Sequence, residues 1–122
     1  MPRDIARADW EALKREMRQI LIGLARMRVT ICYSDLAALL RTASVHHRSP
    51  SFHRLLDDMC REDEARGRAS LAALVVRKDS GIPGAGFFTI AAGDGDDVSD
   101  PLAYWRDQFE RACDYWSTAE DD

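Results

Sequence analysis

The residue types that bind metals are concentrated in the middle of the chain, at His46, His47, His53 and Cys60. Imidazole nitrogen and thiolate sulfur are ligands that suit zinc. However, His53 and Cys60 are seven residues apart on a predicted helix. The adjacent histidines, His46 and His47, seldom point to one site. The set therefore fits no known ligand spacing. We expect no metal and no other cofactor, and we interpret the histidines as loop residues near an anionic partner.

Two further segments resemble ion-binding loops in composition. Residues 81–86 have the glycine density of a phosphate-binding loop, but the sequence predicts a strand after them instead of the helix whose N-terminus would hold a phosphate. Asp94, Asp96 and Asp97 lack the ordered set of oxygen ligands that calcium takes. We interpret the first segment as a hairpin tip and the second as a solvated linker. With no recognisable catalytic set, we expect a binding protein and not an enzyme.

The distribution of charge is more informative than its total. The chain has a net charge of -4, yet residues 1–56 carry +5 and residues 57–122 carry -9. No acidic residue lies between Asp35 and Asp57, a segment that contains three arginines and all three histidines. A local basic surface is what an anionic partner needs, so the sequence predicts one basic end.

Helical periodicity dominates the first half of the chain. Apolar residues recur at helical spacing from Trp10 to Met27 and predict a long first helix that ends near Arg28. Residues 29–33 favour a short extended piece, and Ser34 is placed to cap a short second helix over 35–40. Ser49 followed by Pro50 predicts the start of a third helix, which should end at Gly67.

The second half alternates apolar runs with turn residues. The runs 71–76 and 87–91 flank a loop rich in glycine and proline, which predicts a two-stranded antiparallel hairpin. Residues 93–99 form the acidic linker, and Asp100-Pro101 opens a last helix. The apolar stripe of this helix should face the core, and a dimer seam between the two terminal helices is the alternative. The stripe comprises Leu102, Trp105, Phe109, Cys113 and Trp116.

This order of elements predicts a mainly α fold with a small β-hairpin wing, the winged helix-turn-helix plan, plus an additional C-terminal helix. We expect the winged domain over 1–92, the linker over 93–99, and the helix over 100–122 packing on the same domain. No apolar run approaches the roughly 20 residues that span a bilayer. Cys32, Cys60 and Cys113 are odd in number and widely spaced, which favours a reducing cytoplasm.

Three segments resemble the DNA-binding half of the methylated-DNA cysteine methyltransferases. They are Thr30-Ile31-Cys32-Tyr33-Ser34-Asp35-Leu36-Ala37-Ala38-Leu39, the Arg54 in the next helix, and Val75-Val76-Arg77-Lys78-Asp79-Ser80-Gly81. The similarity covers roughly residues 27–90. It implies that Tyr33 presses on a phosphate of the target nucleotide, and that Arg54 fills the stack that an extruded base leaves.

The nucleophile of that family is missing from this chain. The family has a Pro-Cys-His-Arg segment directly before the two valines, whereas this chain has Leu71-Ala72-Ala73-Leu74. Because alanine supplies neither a thiolate nor a base, the sequence excludes alkyl transfer by that chemistry. What the resemblance leaves is a non-catalytic DNA-binding module.

Duplex DNA is therefore the favoured partner, bound by the start of the third helix and by the wing. Acidic residues later in the third helix would keep all but its first turns out of a groove. The alternative is a winged-helix module for protein interaction or dimerisation, with the acidic half facing a basic partner. The candidate DNA-binding residues are Tyr33, Arg41, His47, Arg48, Ser51, His53, Arg54, Arg77 and Lys78.

Overall fold

The computed structural model describes residues 6–118. The first five residues of the predicted domain over 1–92 and the last four of the predicted helix over 100–122 lie outside the described part. Within it the chain forms five α-helices, one 3₁₀ helix and two short strands. In chain order they are α1 (Arg7–Met27), β1 (Ile31–Cys32), α2 (Tyr33–Leu39), α3 (Pro50–Ala65), the 3₁₀ helix (Leu71–Leu74), β2 (Val75–Val76), α4 (Ala85–Gly93) and α5 (Pro101–Thr118).

α1 is the central helix of the core. Its apolar stripe, which includes Leu13, Met17 and Leu21, is fully buried and packs against α3, α5 and the 3₁₀ helix. The helix ends where Arg28 adopts a left-handed conformation with a φ of 58°. The periodicity of the sequence predicted both the helix and its end, because a long amphipathic stripe leaves little choice of structure.

α3 and α5 also begin where the sequence places them. The Ser49 hydroxyl accepts a hydrogen bond from the Phe52 amide at 3.2 Å, and Pro50 occupies the first turn of α3. The Asp100 carboxylate accepts a hydrogen bond from the Ala103 amide at 3.2 Å at the start of α5. α2 differs slightly from the prediction: it begins at Tyr33, so Ser34 lies inside the helix and Cys32 is the capping residue.

The predicted hairpin wing is wrong. Residues 71–74 form a 3₁₀ helix whose first turn is capped by the Ser70 hydroxyl, and only Val75 and Val76 are extended. These two residues pair in parallel with Ile31 and Cys32. The sheet thus connects the segment before α2 to the segment after the 3₁₀ helix.

The second predicted strand of the wing, 87–91, lies within helix α4. A short apolar run has no periodicity that separates a strand from a buried helix, and here the glycine-rich loop before it ends in Gly84, which caps the helix. The loop is closed by backbone hydrogen bonds between Arg77 and both Gly81 and Ile82. It is therefore a helix entry instead of a hairpin tip.

A network of ionic contacts fastens α1 to α3. The Lys14 ammonium donates to Glu62 at 2.6 Å, and the Arg18 guanidinium lies 3.2 Å from both Glu62 and Asp63. Asp63 is fully buried, and Arg68 lies 3.4 Å from the same carboxylate. These contacts hold α3 against α1.

None of the helices in residues 6–118 has both the length and the apolar character that a membrane crossing requires.

Candidate functional site: a groove between α3 and α4

A groove of about 790 Å³ has α3 on one side and α4 on the other. The two helices start next to each other, because Tyr33 contacts both starting points. Its hydroxyl accepts a hydrogen bond from the Gly84 amide at 3.0 Å, and its ring lies 5.7 Å from that of His53. The helices also end near each other, where Glu64 and Asp94 interact electrostatically. They therefore line the groove in the same direction.

Arginine, lysine and histidine side chains collect at the end of the groove where both helices begin. We call this the basic pole; it comprises His47, Arg48, His53, Arg77 and Lys78. Burial, together with the nearby His46, Arg48 and His53, lowers the pKa of His47. The N-terminal amides of two helices add partial positive charge at the same end.

Ion pairing removes part of this charge. The Arg77 guanidinium forms two hydrogen bonds with the Asp79 carboxylate, at 2.8 and 3.1 Å. Arg48 and Lys78 are exposed and make no ion pair with any residue in the part of the chain that the structure describes. These two side chains are therefore the strongest available anion-binding groups in the groove.

The opposite end of the groove is acidic. We call it the acidic pole; it comprises Asp57, Glu64, Asp94 and Asp96. Burial and the nearby carboxylates, chiefly Asp94, raise the pKa of Glu64. Arg61 pairs with Asp57 at 2.9 Å, and the Tyr104 hydroxyl donates to Asp96 at 2.7 Å. The groove is thus positive at one end and negative at the other.

The surface between the poles is apolar and includes the position of the missing nucleophile. Ala72 lines the groove beside Cys60 and Ser70. Cys60 is buried, and this burial raises the pKa of its thiol to about 12. A thiol that is protonated at neutral pH is a poor nucleophile.

Six of the nine predicted DNA-binding residues lie together in the groove: Tyr33, His47, Arg48, His53, Arg77 and Lys78. The other three do not. Ser51 is 6% exposed and faces the core, so it is not available to a base edge as predicted. Arg54 lines a separate, smaller cavity with Trp10 and Asp58. The backbone of Arg41 donates to Glu16 of α1 at 2.8 Å, outside the groove.

The separation of Tyr33 from Arg54 has a geometric cause. His53 and Arg54 are adjacent on α3, and successive residues of a helix project in directions about 100° apart. Because His53 shares the groove with Tyr33, Arg54 faces α1. The resemblance paired Tyr33 with Arg54, whereas the structure pairs Tyr33 with His53.

Sequence reasoning missed α4 and the acidic pole. Phe87, Ile90 and Ala91 form the apolar wall of the groove, at helical spacing that the interpretation as a strand concealed. The spacing of Asp57 and Glu64 places both residues on the same face of α3 as His53, and this signal could have identified the part of the acidic pole that α3 supplies. The same reasoning for Asp94 required knowing that α4 is a helix.

Within residues 6–118 no group of three or more His, Cys, Asp and Glu side chains is arranged to hold a metal ion. His46 and His47 stack on each other with ring centroids 4.5 Å apart. Comparisons with protein-family models, with curated proteins and with solved structures give no match to this chain.

Proposed function

We propose that the protein binds duplex DNA without catalysing a reaction, through the basic pole of the groove. The observation that carries this proposal is the convergence of five cationic or titratable side chains with two helix N-termini at one exposed end. Backbone amides and cations at helix N-termini are common phosphate ligands. α4 adds support that the sequence did not predict, because a helix follows the glycine-rich loop.

The arrangement of charge also limits how DNA can lie on this surface. Asp57 and Asp58 follow His53 by one turn of α3, and Glu62 and Glu64 follow in later turns. These carboxylates would repel phosphates if α3 lay along a major groove. Only the first turn of α3, the loop before it and the segment after β2 can therefore approach the DNA backbone.

The size of the groove agrees with the base extrusion that the resemblance implies. Its volume lies within the range of about 300 to 1,000 Å³ that is usual for sites that hold a small molecule or cofactor. Tyr33 lies at the wall of the groove, although its hydroxyl is already bonded to Gly84. A nucleotide rotated out of a duplex at the basic pole would enter beside Tyr33.

The test is a fluorescence-anisotropy titration of a labelled duplex over a series of salt concentrations. At neutral pH two unpaired positive charges, on Arg48 and Lys78, can replace counterions, so the slope of log K against log salt should be about -2. Arg48→Gln and Lys78→Gln should each weaken binding by about fivefold and reduce the slope by about one. Arg106→Gln, an exposed change on α5, is the matched control and should alter neither.

Two results would contradict the proposal. The first is an absence of duplex binding at low salt. The second is equal weakening by the Arg106 control and by the basic-pole variants, which would show that attraction is diffuse. A stronger effect of Arg54→Ala than of Lys78→Gln would relocate the binding surface to the smaller cavity near Trp10.

A second candidate function is protein interaction, and α4 supplies the observation that favours it. Only Ala91 of this apolar helix is buried, and Ile90 and Leu102 are each nearly half exposed. Such surfaces are typical of interaction sites. Sedimentation equilibrium of the protein alone tests the dimer form of this function, with a monomer at all concentrations as the contradicting result.

A further inference from the structure

Helix α4 presents an apolar surface that the rest of the chain leaves largely open. Its nine residues include one polar side chain, and the hydroxyl of this Thr89 donates to the Ala85 carbonyl of the same helix at 3.1 Å. Only Ala91 is buried, and Ile90 is 47% exposed. Helices that are apolar on all sides are normally buried. α4 therefore has the composition of a covered helix, yet residues 6–118 leave most of it uncovered.

The packing of the other helices shows that α4 is the apolar surface available to a partner. α1 packs against α3 and α5, whereas α4 has no extensive contact with another helix or strand of the described residues. It meets α5 at its first turn, where the ring centroids of Phe87 and Tyr104 are 5.9 Å apart. The seam between α1 and α5, which the sequence suggested for a dimer, is filled within one chain, and Trp116 is 1% exposed there. An apolar interface with a partner therefore belongs to α4.

The charges at the two ends of the groove decide which partner fits. At neutral pH the basic pole carries unpaired positive charges on Arg48 and Lys78, because Asp79 offsets Arg77. The acidic pole has four carboxylates, and the single guanidinium of Arg61, which acts on three of them, cannot neutralise all four. The apolar wall of α4 lies between the poles. The partner must therefore present negative charge, an apolar surface and positive charge in that order.

We propose that the partner is a second copy of this chain, turned by 180° so that the two α4 helices pack antiparallel. The basic pole of each copy then faces the acidic pole of the other, because a twofold axis reverses the direction of the charges. A parallel arrangement would bring like charges together. The inference names the partner of the second candidate function. It does not require DNA binding, with which it would compete for the basic pole.

The first experiment is sedimentation equilibrium of the full chain without DNA, over a wide range of protein concentration. Because α4 is only about 14 Å long, we expect a weak dimer with a Kd on the order of 10 µM. Ile90→Gln should weaken the dimer about tenfold, since it removes an apolar side chain from the middle of the interface. Met27→Gln, at an exposed apolar residue of α1, is the matched control and should leave the dimer unchanged.

Charge reversal tests the antiparallel arrangement. Lys78→Glu and Asp94→Lys should each weaken self-association about tenfold, because each places like charges at both points where the poles meet. A mixture of the two variants should restore the wild-type affinity, since their heterodimer regains both contacts between opposite charges. Both variants keep a net negative charge, because the chain starts from -4, so overall charge does not attract one to the other. Asp114→Lys, an exposed change about 15 Å along α5 from Tyr104, should self-associate like the wild type.

The replaced residues are all exposed, so the changes do not threaten folding. A monomer at every concentration would overturn the inference, and binding of that monomer to vesicles of anionic phospholipid would assign α4 to a membrane surface instead. A dimer that Ile90→Gln leaves unchanged would overturn it as well, because the interface would then lie elsewhere. A mixture of the charge variants that stays monomeric would refute the antiparallel arrangement. None of these results bears on duplex binding, which the salt titration tests separately.

Discussion

Replacement of Trp116 tests whether α5 belongs to the same folding unit as the groove. The side chain is 1% exposed, and its indole N–H donates to the Ala69 carbonyl at 3.0 Å. The Trp116 carbonyl in turn accepts a hydrogen bond from Arg26 of α1 at 3.0 Å. One residue therefore connects α5 both to α1 and to the segment that precedes the 3₁₀ helix.

The expected losses follow from these contacts. Trp116→Ala removes a buried aromatic side chain, which costs about 3 to 5 kcal/mol, a large part of the roughly 5 to 15 kcal/mol that stabilises a domain. Trp116→Phe keeps most of the apolar volume but leaves the Ala69 carbonyl without its donor, so it should cost about 1 to 3 kcal/mol. Leu102→Ala on the same helix should change stability by less than about 0.5 kcal/mol, because Leu102 is 48% exposed.

Urea denaturation followed by circular dichroism measures all three variants. The unfolding of the wild type should be a single transition, and Trp116→Ala should shift its midpoint without creating a second one. Two transitions, with only one of them sensitive to Trp116, would show that α5 folds apart from the groove. Equal midpoints for Trp116→Ala and Leu102→Ala would refute the packing argument.

Five further outcomes are expected. Iodoacetamide at neutral pH should modify the half-buried Cys32 before Cys60, because the buried Cys60 thiol has a pKa of about 12. Peptide mass mapping that finds Cys60 modified first would contradict this expectation. Incubation with alkylated DNA should also leave the protein mass unchanged. Tyr33→Phe should lower the free energy of unfolding by about 1 to 3 kcal/mol, because the Gly84 amide loses its acceptor; an unchanged urea midpoint would show that this hydrogen bond contributes nothing. DNA binding should strengthen as the pH falls from about 7.5 to about 5.5. The pKa of His47 is lowered in the free protein, and nearby phosphates would favour its protonated form. His47→Gln should therefore weaken this pH dependence. Because the folded protein holds that proton less tightly than the unfolded chain, the stability of the free protein should decline slightly below the ordinary histidine pKa.

The sequence predicted the elements that have strong periodic or capping signals. α1 and α5 carry long apolar stripes, and Ser49-Pro50 marks the start of α3. The error lay in residues 71–91, where apolar runs are short and carry few polar residues. Val75 and Val76 are extended because Ile31 and Cys32 lie alongside them, a partnership that no local pattern reveals. Pairing between distant segments is set by the tertiary fold, so a single sequence could not supply it.

The same error concealed half of the candidate site. If residues 87–91 form a strand, Lys78 and Asp94 lie at opposite ends of a hairpin wing. The acidic linker over 93–99 then has no spatial relation to the basic residues before α3. With α4 as a helix that lines the groove opposite α3, basic and acidic residues from both halves of the chain belong to one groove. α3 itself changes from His53 at its start to Glu64 near its end, and α4 changes in the same direction, from Lys78 before it to Asp94 after it. Each helix dipole is aligned with these charges, positive at the basic pole and negative at the acidic pole. Since basic residues beside a helix N-terminus and acidic residues beside a C-terminus both oppose helix stability, this arrangement does not help either helix to form.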